Sequence, residues 1–179
     1  MVHPTVRFET SLGDIRVELF TEDAPVSAAN FLSYVDNGFY EGLIFHRVIP
    51  GFMIQSGGHE PDLSERAVTG DMIVNESDNG LNNVRGTLAM ARLSTPHSAR
   101  SQFFINLVDN VRLDHGIQPG EWGYAVFGRV IEGMEVVDEI ALQPTGRAGM
   151  YQDVPLEEIV IRAARRAGDV PVAVADSAD

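Results

Sequence analysis

The chain has 179 residues, of which 44% are hydrophobic, and its mean hydropathy of -0.04 is typical of a globular protein. This length suits one domain with a sizeable core. The formal net charge of -13 argues against nucleic acid and anionic membranes as partners, because both would be repelled. There are no cysteines, which excludes disulfides, thiol chemistry and cysteine-based zinc sites.

Nothing in the sequence indicates export or membrane insertion. Residues 1–20 lack the basic stretch followed by an apolar run that marks a signal peptide. A membrane span would need roughly 18 consecutive apolar residues, and no window approaches that number. We therefore expect a cytoplasmic protein, and a monomer.

Hydrophobic periodicity predicts many short strands and two helices. Alternation within residues 6–19, interrupted by a turn at 11–13, predicts a hairpin with one buried face. A proline at the start and apolar residues at helical spacing predict a helix over 25–36, which Asn37-Gly38 ends. A second short helix is expected around 136–140. Further strands are expected at 43–49, 53–55, 72–75, 87–91, 102–107, 124–131 and 156–163.

This order of elements favours a mainly β fold. Strands and helices do not alternate along the chain, so a doubly wound sheet is disfavoured and a sandwich or barrel is indicated. The glycine-containing stretches 56–71 and 76–86 are expected to be surface loops. Residues after Gly168 are small and acidic and are expected to form a flexible tail.

Residues 45–58, FHRVIPGFMIQSGG, carry the most information about function. They place Arg47 among large apolar residues, with the long amide of Gln55 nearby. A charged side chain in such surroundings is costly unless it has a partner or a task. Two interpretations remain open from this segment alone: a salt bridge at the end of a core strand, or a functional cation.

Two further segments point to a known family. They are GTLAMARLSTPHSARSQFFIN at 86–106 and WGYAVFGRVIEGMEVVD at 122–138. With 45–58 they resemble the cyclophilins, the cyclosporin-binding class of peptidyl-prolyl cis-trans isomerases, in order and spacing. The resemblance runs from about Val6 to Ile161 and is closest to the bacterial single-domain type.

The resemblance implies a fold and an activity. The fold is an eight-stranded antiparallel closed barrel capped by two α-helices, formed by residues 1–167, with 168–179 as the acidic flexible tail. The activity is rotation about X–Pro peptide bonds, which assists protein folding. Because no bond is broken, no metal or cofactor is expected. The implied partners are proline-containing polypeptides that are unfolded or flexible.

The resemblance also implies roles for individual residues. Arg47 matches the catalytic arginine, and Gln55 matches the amide that orients it and the substrate carbonyl. The residues that match the substrate-binding set are Phe52, Met53, Phe104 and Leu113 for the proline ring, Ala91, Arg92 and Gln102 for the preceding residues, and Tyr124 at a position where many members have histidine. Arg92 is expected to act through its backbone. From the residues alone, the apolar members of this set would be interpreted as core.

Three positions depart from the usual family pattern. Arg112 stands where many members have a tryptophan at the pocket rim, Ser56 replaces a common glycine, and Tyr124 replaces histidine. These departures predict weak cyclosporin binding. Trp122 is the residue that could take the place of the missing ring.

The histidines and the remaining alternatives carry weaker signals. His46 is expected on the strand face opposite Arg47, as a structural hydrogen-bonding residue. His59 with Glu60 and Asp62 fits no reliable metal-ligand spacing, and there is no G-x-S-x-G motif of a serine hydrolase. A proline-binding module without turnover is the second functional hypothesis, although the presence of both Arg47 and Gln55 favours the enzyme.

Overall fold

The strands form one large antiparallel sheet and one separate hairpin. The structure is a computed structural model that describes residues 1–173. The sheet has the strand order β10-β1-β2-β7-β5-β6-β4-β3, and β8 pairs with β9 outside it. The strands are β1 Val2–Thr10, β2 Gly13–Leu19, β3 Arg47–Ile49, β4 Met53–Ser56, β5 Thr87–Met90, β6 Phe103–Asn106, β7 Val126–Glu132, β8 Thr145–Ala148, β9 Tyr151–Pro155 and β10 Ile161–Pro171.

The two ends of the sheet curl towards each other. The backbone N–H of Phe45 donates to the carbonyl of Ile159 at 2.9 Å, and that of Gly42 donates to the carbonyl of Ile161 at 2.7 Å. A single antiparallel bridge joins Ile44 to Val160. The expected mainly β fold with two helices is confirmed, but this short bridge, not a continuous ladder between β3 and β10, links the sheet ends.

The inside of the curled sheet is filled by aromatic and aliphatic side chains. Phe8 stacks on Phe103 at 5.5 Å between ring centroids, and Phe31 meets Phe103 edge-on at 5.4 Å. Phe31 belongs to helix α1, Pro25–Asp36, whose apolar face covers the interior. The second helix, α2, spans Met134–Ala141 and buries Val137 and Ile140 in the same core.

A distant carboxylate caps α1. The backbone N–H groups of Ser27 and Val26 donate to the Glu76 carboxylate at 2.6 and 3.2 Å. The first N–H groups of a helix have no partner within the helix, so a carboxylate there stabilises both the helix and the loop that supplies it. This contact fixes the 72–78 region against the end of the barrel.

Several predicted boundaries are wrong. Residues 72–75 form no strand, although Ile73 makes an isolated bridge to Ala99. Of 43–49, only Arg47–Ile49 is strand. The hairpin of β8 and β9 was not predicted, because it lies outside the main sheet and buries only Val154 and Pro155, so no clear alternation marks it.

The last strand differs most from prediction. It begins at Ile161, not at 156, and continues to Pro171 by pairing with residues 2–4 of β1. The predicted start of a flexible tail at 168 is therefore too early. Backbone pairing with β1 orders this segment, although its composition gives no sign of a strand. The rest of the predicted tail, residues 174–179, lies outside the described residues.

His46 and His59 form a buried pair of imidazoles beside the site strand. Their ring centroids are 3.9 Å apart, and the two side chains are 5% and 3% exposed. His46 faces away from Arg47 as expected, but its Nδ1 and both ring nitrogens of His59 have no hydrogen-bond partner among the described residues. The expected hydrogen-bonding role of His46 is thus not met at Nδ1. The pair is packed rather than hydrogen-bonded.

Burial, with smaller contributions from the neighbouring His59 and Arg47, lowers the pKa of His46 to about 3. Burial also lowers the pKa of His59, against a smaller opposing effect of Glu65. Both imidazoles are therefore neutral in the folded protein, whereas in the unfolded chain they take up protons below about pH 6.5. The stability that comes from keeping these imidazoles neutral is present above that pH and is lost as pH falls below about 6.5, for His46 over the range down to about 3.

We predict that replacing both imidazoles with uncharged rings, in the double variant His46→Phe with His59→Phe, makes the melting temperature fall less than that of wild type as pH is lowered. The measurement is the melting temperature of wild type and variant between about pH 7 and about pH 4. The exposed His115→Gln variant is the control and should keep the wild-type slope. A double variant that loses as much stability as wild type over this range contradicts the prediction.

Candidate active site

A second apolar cluster lies on the outer face of the sheet, separate from the barrel core. It is built on Met53 of β4, Ala89 of β5, Phe104 of β6 and Val126 of β7, all buried. Successive side chains of a strand point to opposite faces. Met53 therefore faces outward while its neighbour Ile54 enters the core, and the same strand geometry places an apolar floor outside the barrel.

A cavity of about 210 Å³ opens above this floor. Most of the residues predicted for the site from the sequence line it: Arg47, Phe52, Met53, Gln55, Ala91, Arg92, Phe104, Leu113 and Tyr124. Gln102, the remaining predicted residue, lies beside it in a second groove of about 660 Å³. Gln55, Ala91 and Arg92 line both spaces, so the cavity and the groove are neighbouring parts of one surface.

Arg47 and Gln55 stand side by side at the cavity edge because their strands pair. They are cross-strand partners in the β3–β4 ladder. Nη1 of Arg47 donates to Oε1 of Gln55 at 3.3 Å, and Nε2 of Gln55 donates to Oε1 of Gln102 at 3.0 Å. On the other edge of β4, Gln55 is the cross-strand partner of Phe104 in β6. The guanidinium is thus held by the linked side-chain amides of Gln55 and Gln102, beside the strand that carries Phe104.

The salt-bridge interpretation of Arg47 is not supported. Within residues 1–173, no carboxylate lies within ion-pair distance of its guanidinium. A guanidinium carries five N–H donors, and Gln55 accepts from one nitrogen only. A permanently charged donor therefore remains available to a group bound in the cavity.

Arg92 organises the opposite rim with its side chain. Its guanidinium donates to the backbone carbonyl of Trp122 at 3.0 Å and to that of Gly123 at 3.3 Å. It also lies over the Tyr124 ring, with Cζ 4.4 Å from the centroid. The expected action through the backbone alone is therefore incomplete, because the Arg92 side chain fixes the segment that carries Tyr124.

The outer rim carries a cation instead of an indole. Cζ of Arg112 lies 4.8 Å from the centroid of the Phe52 ring, and Arg112 is exposed. Trp122 does not replace an aromatic ring there. It packs between His97 and His115, with both centroid distances 4.9 Å. It is not among the residues that line the cavity.

Sequence reasoning missed a set of buried amides beneath the rim. Asn83, Asn106 and Asn110 are 1%, 0% and 6% exposed. They are hydrogen-bonded to one another and to backbone carbonyls of cavity residues. Residues 76–86 were expected to be an ordinary surface loop, and three asparagines spread over 28 positions of the sequence give no local signal of contact.

The structure offers no metal cluster and no membrane helix in the part that it describes. No three His, Asp or Glu side chains in residues 1–173 converge to hold a metal ion. Glu60 instead pairs with Arg66, and Asp62 accepts from Ser64. The two helices, of 12 and 8 residues, are too short to cross a membrane.

Comparison with known proteins identifies the family of the chain. A family model described as cyclophilin type peptidyl-prolyl cis-trans isomerase/CLD matches residues 5–166. Peptidyl-prolyl cis-trans isomerase B of Escherichia coli is 54% identical over 157 residues, which cover 87% of this chain and 95% of that protein. Peptidyl-prolyl cis-trans isomerase A of Dickeya dadantii is 53% identical over 160 residues, which cover 89% of this chain and 83% of that protein.

A solved structure of the same family has a similar fold. The crystal structure of a Cryptosporidium parvum cyclophilin type peptidyl-prolyl cis-trans isomerase, in the presence of the dipeptide Ala-Pro, matches with a TM-score of 0.76 and 29% identity. The match covers 92% of this chain and 99% of that one. Together, the family model, the relatives and this fold show that the chain belongs to the cyclophilin-type peptidyl-prolyl cis-trans isomerases.

Proposed function

We propose that the chain catalyses rotation about X–Pro peptide bonds in the 210 Å³ cavity, with Arg47 as the catalytic donor. The observation that carries this proposal is a guanidinium that pairs with no carboxylate of residues 1–173 and is held by Gln55 at the edge of an apolar cavity. Family membership supports the activity itself, and isomerases of this family need no cofactor.

The reaction requires only modest stabilisation of its transition state by the protein. The peptide bond resists rotation with a barrier of about 18–20 kcal/mol, because its nitrogen lone pair is delocalised into the carbonyl. When the bond twists, the nitrogen becomes pyramidal and recovers its lone pair. A donor aimed at that lone pair binds the transition state more strongly than the ground state. A thousandfold acceleration needs only about 4 kcal/mol of such differential stabilisation.

Each part of the site has a task in this scheme. Phe52, Met53, Phe104 and Leu113 surround the proline ring with apolar surface, which also excludes water and strengthens the hydrogen bond from Arg47. Gln55 orients the guanidinium and binds the substrate carbonyl. The residues before the proline lie along the groove of Ala91, Arg92 and Gln102, and Tyr124 closes the far side.

A proline-binding module without turnover is the alternative. Such a module needs the apolar pocket but neither an available guanidinium nor an amide to orient it. The Arg47–Gln55–Gln102 chain of hydrogen bonds is therefore the feature that favours the enzyme. We further propose proline-containing segments of unfolded or flexible polypeptides as substrates. A monomeric state, a cytoplasmic location and a lack of nucleic-acid partners stay predictions from composition and charge.

We predict that purified protein accelerates the cis-to-trans exchange of a short X–Pro peptide without added metal or nucleotide. The measurement is a protease-coupled isomerisation assay with and without a chelator. Activity that disappears with the chelator and returns with metal would exclude the proposed mechanism. Peptide binding without acceleration would favour the binding module.

We predict that Arg47→Ala lowers turnover by about 10²–10³, the range found when one preorganised donor is removed. Arg47→Lys should also be impaired, because an ammonium does not reproduce the guanidinium fork. Since Arg47 is exposed and lies outside the barrel core, both variants should fold, as circular dichroism would verify. Exposed Arg162→Ala is the matched control, and a fully active Arg47→Ala protein would mean that another residue is the donor.

We predict weak cyclosporin binding, and tighter binding after Arg112→Trp. The drug is a large, mostly apolar cyclic peptide, which an indole at the rim would contact with a flat ring and an N–H donor. Arg112 instead presents a solvated charge that contact would partly desolvate. Titration followed by tryptophan fluorescence and by inhibition, with Arg162→Trp as control, measures the difference. Tight inhibition of the wild-type protein is incompatible with this role of Arg112.

A further inference from the structure

Three buried asparagines form a continuous hydrogen-bonded chain beneath the cavity rim. Nδ2 of Asn110 donates to Oδ1 of Asn106 at 2.8 Å. Nδ2 of Asn106 donates to Oδ1 of Asn83 at 3.1 Å and to the hydroxyl of Thr87 at 2.9 Å. We call Asn83, Asn106 and Asn110 the amide chain. Its members come from the 76–86 loop, from β6 and from the segment after β6, so it ties three separate parts of the chain together.

Both ends of the amide chain terminate on residues of the cavity wall. At one end, Nδ2 of Asn110 donates to the carbonyl of Phe52 at 2.9 Å. At the other, Nδ2 of Asn83 lies 3.2 Å from the carbonyls of both Leu113 and Tyr124. These contacts join the backbones of three residues that line the cavity.

The middle of the amide chain lies on β6, one of the strands that carry the floor of the cavity. Asn106 lies two positions after Phe104 on β6 and is therefore on the same strand face. It is the cross-strand partner of Met53, which lines the cavity. Asn106 is fully buried, so its amide has no access to water and depends on Asn83, Asn110 and Thr87 for its hydrogen bonds.

The rim segment has little regular secondary structure to hold its position. It contains a single turn of 3-10 helix, Val111–Leu113, followed by residues 114–122, most of which are exposed. A carboxylate reinforces the amide chain there, since Oδ1 of Asp114 accepts from the backbone N–H of Asn83 at 2.6 Å. Gly123 permits the close approach of this segment, because a Cβ at that position would lie 2.5 Å from the carbonyl of Leu113.

We propose that the amide chain is a positioning unit that sets the width of the proline cavity by fixing Phe52, Leu113 and Tyr124 through their backbones. This inference rests on the proposed function of the cavity. Broken hydrogen bonds in a buried network leave unsatisfied polar groups, so the rim would move to recover partners instead of staying in place. The amide chain holds the wall that binds the ring, and it does not touch the donor Arg47.

The position of the amide chain determines its kinetic signature. The cavity wall contacts the proline ring in the ground state and in the transition state alike. Loss of uniform binding raises KM and leaves kcat unchanged, whereas loss of a donor used only in the transition state lowers kcat. Variants of the amide chain should therefore weaken peptide binding while bound peptide still isomerises at the wild-type rate, the opposite of Arg47→Ala.

The test begins with Asn110→Leu, which keeps the size of the side chain and removes both of its donors. NMR titration of an X–Pro peptide should give a Kd raised about three- to tenfold, the range for one lost buried hydrogen bond. Exchange NMR at saturation should give an isomerisation rate within about twofold of wild type. Thr5→Val is the matched control, because the buried hydroxyl of Thr5 donates to the carbonyl of Gly168 at 2.7 Å, on two strands that contribute no residue to the cavity lining.

A second variant separates positioning from general destabilisation. In Asn110→Asp, the ionised carboxylate cannot donate to the carbonyl of Phe52, but the protonated acid can. Burial raises the pKa of such a carboxyl, so protonation begins at mildly acidic pH. The Kd of this variant should therefore fall relative to wild type as pH is lowered from about 7 to about 5. If Asn110→Leu does not fold, the pH dependence of the Kd of Asn110→Asp tests the positioning role instead.

The outcomes distinguish this inference from the function on which it rests. An unchanged Kd for Asn110→Leu, an equal rise for Thr5→Val, or a loss confined to the rate at saturation would each overturn the positioning role. Phe104→Ala tests the cavity itself. If the peptide binds Phe104→Ala as tightly as wild type, the assignment of the cavity is overturned. If peptide binding is weakened in Phe104→Ala but not in Asn110→Leu, only the role of the amide chain is overturned.

Discussion

The alternation of side chains along β4, β5 and β6 is the constraint on which the rest of the molecule depends. It sends Ile54, Leu88 and Ile105 into the barrel core and leaves Met53, Ala89 and Phe104 on the outer face. One backbone ladder thereby supports two apolar clusters. A register slip of one residue would exchange the two faces, so the packing of the barrel also fixes the floor of the cavity.

The polar part of the site follows from the same ladder. Pairing of β3 with β4 places Arg47 opposite Gln55, and pairing of β4 with β6 places Gln55 opposite Phe104. The cation, the amide and the aromatic wall are therefore neighbours by strand geometry and not by flexible loops. The chain has twice as many acidic residues as arginines, 26 against 13, yet no carboxylate in the described residues neutralises Arg47.

The rim is built on a different principle. Loops supply it, and loops depend on side chains for the hydrogen bonds that strands obtain from one another. Arg92 holds the carbonyls of Trp122 and Gly123, and buried asparagines hold those of Phe52, Leu113 and Tyr124. Rigid strands thus carry the donor and the floor, while polar side chains determine the position of the walls.

The sequence by itself determined the family, the mainly β class and the residues around the cavity. The segments at 45–58, 86–106 and 122–138 carried the resemblance to the family, which implied the site residues, and strand periodicity indicated the β class. Motifs and periodicity are both local properties of a chain. Only the tertiary structure decided that Arg47 has no carboxylate partner among residues 1–173, that β10 extends to Pro171 along β1, and that His46 packs against His59. It alone brought Asn83 to Tyr124, 41 positions away. These contacts join groups that are remote in sequence, and no local pattern records which buried donor will meet which carbonyl once the sheet has curled.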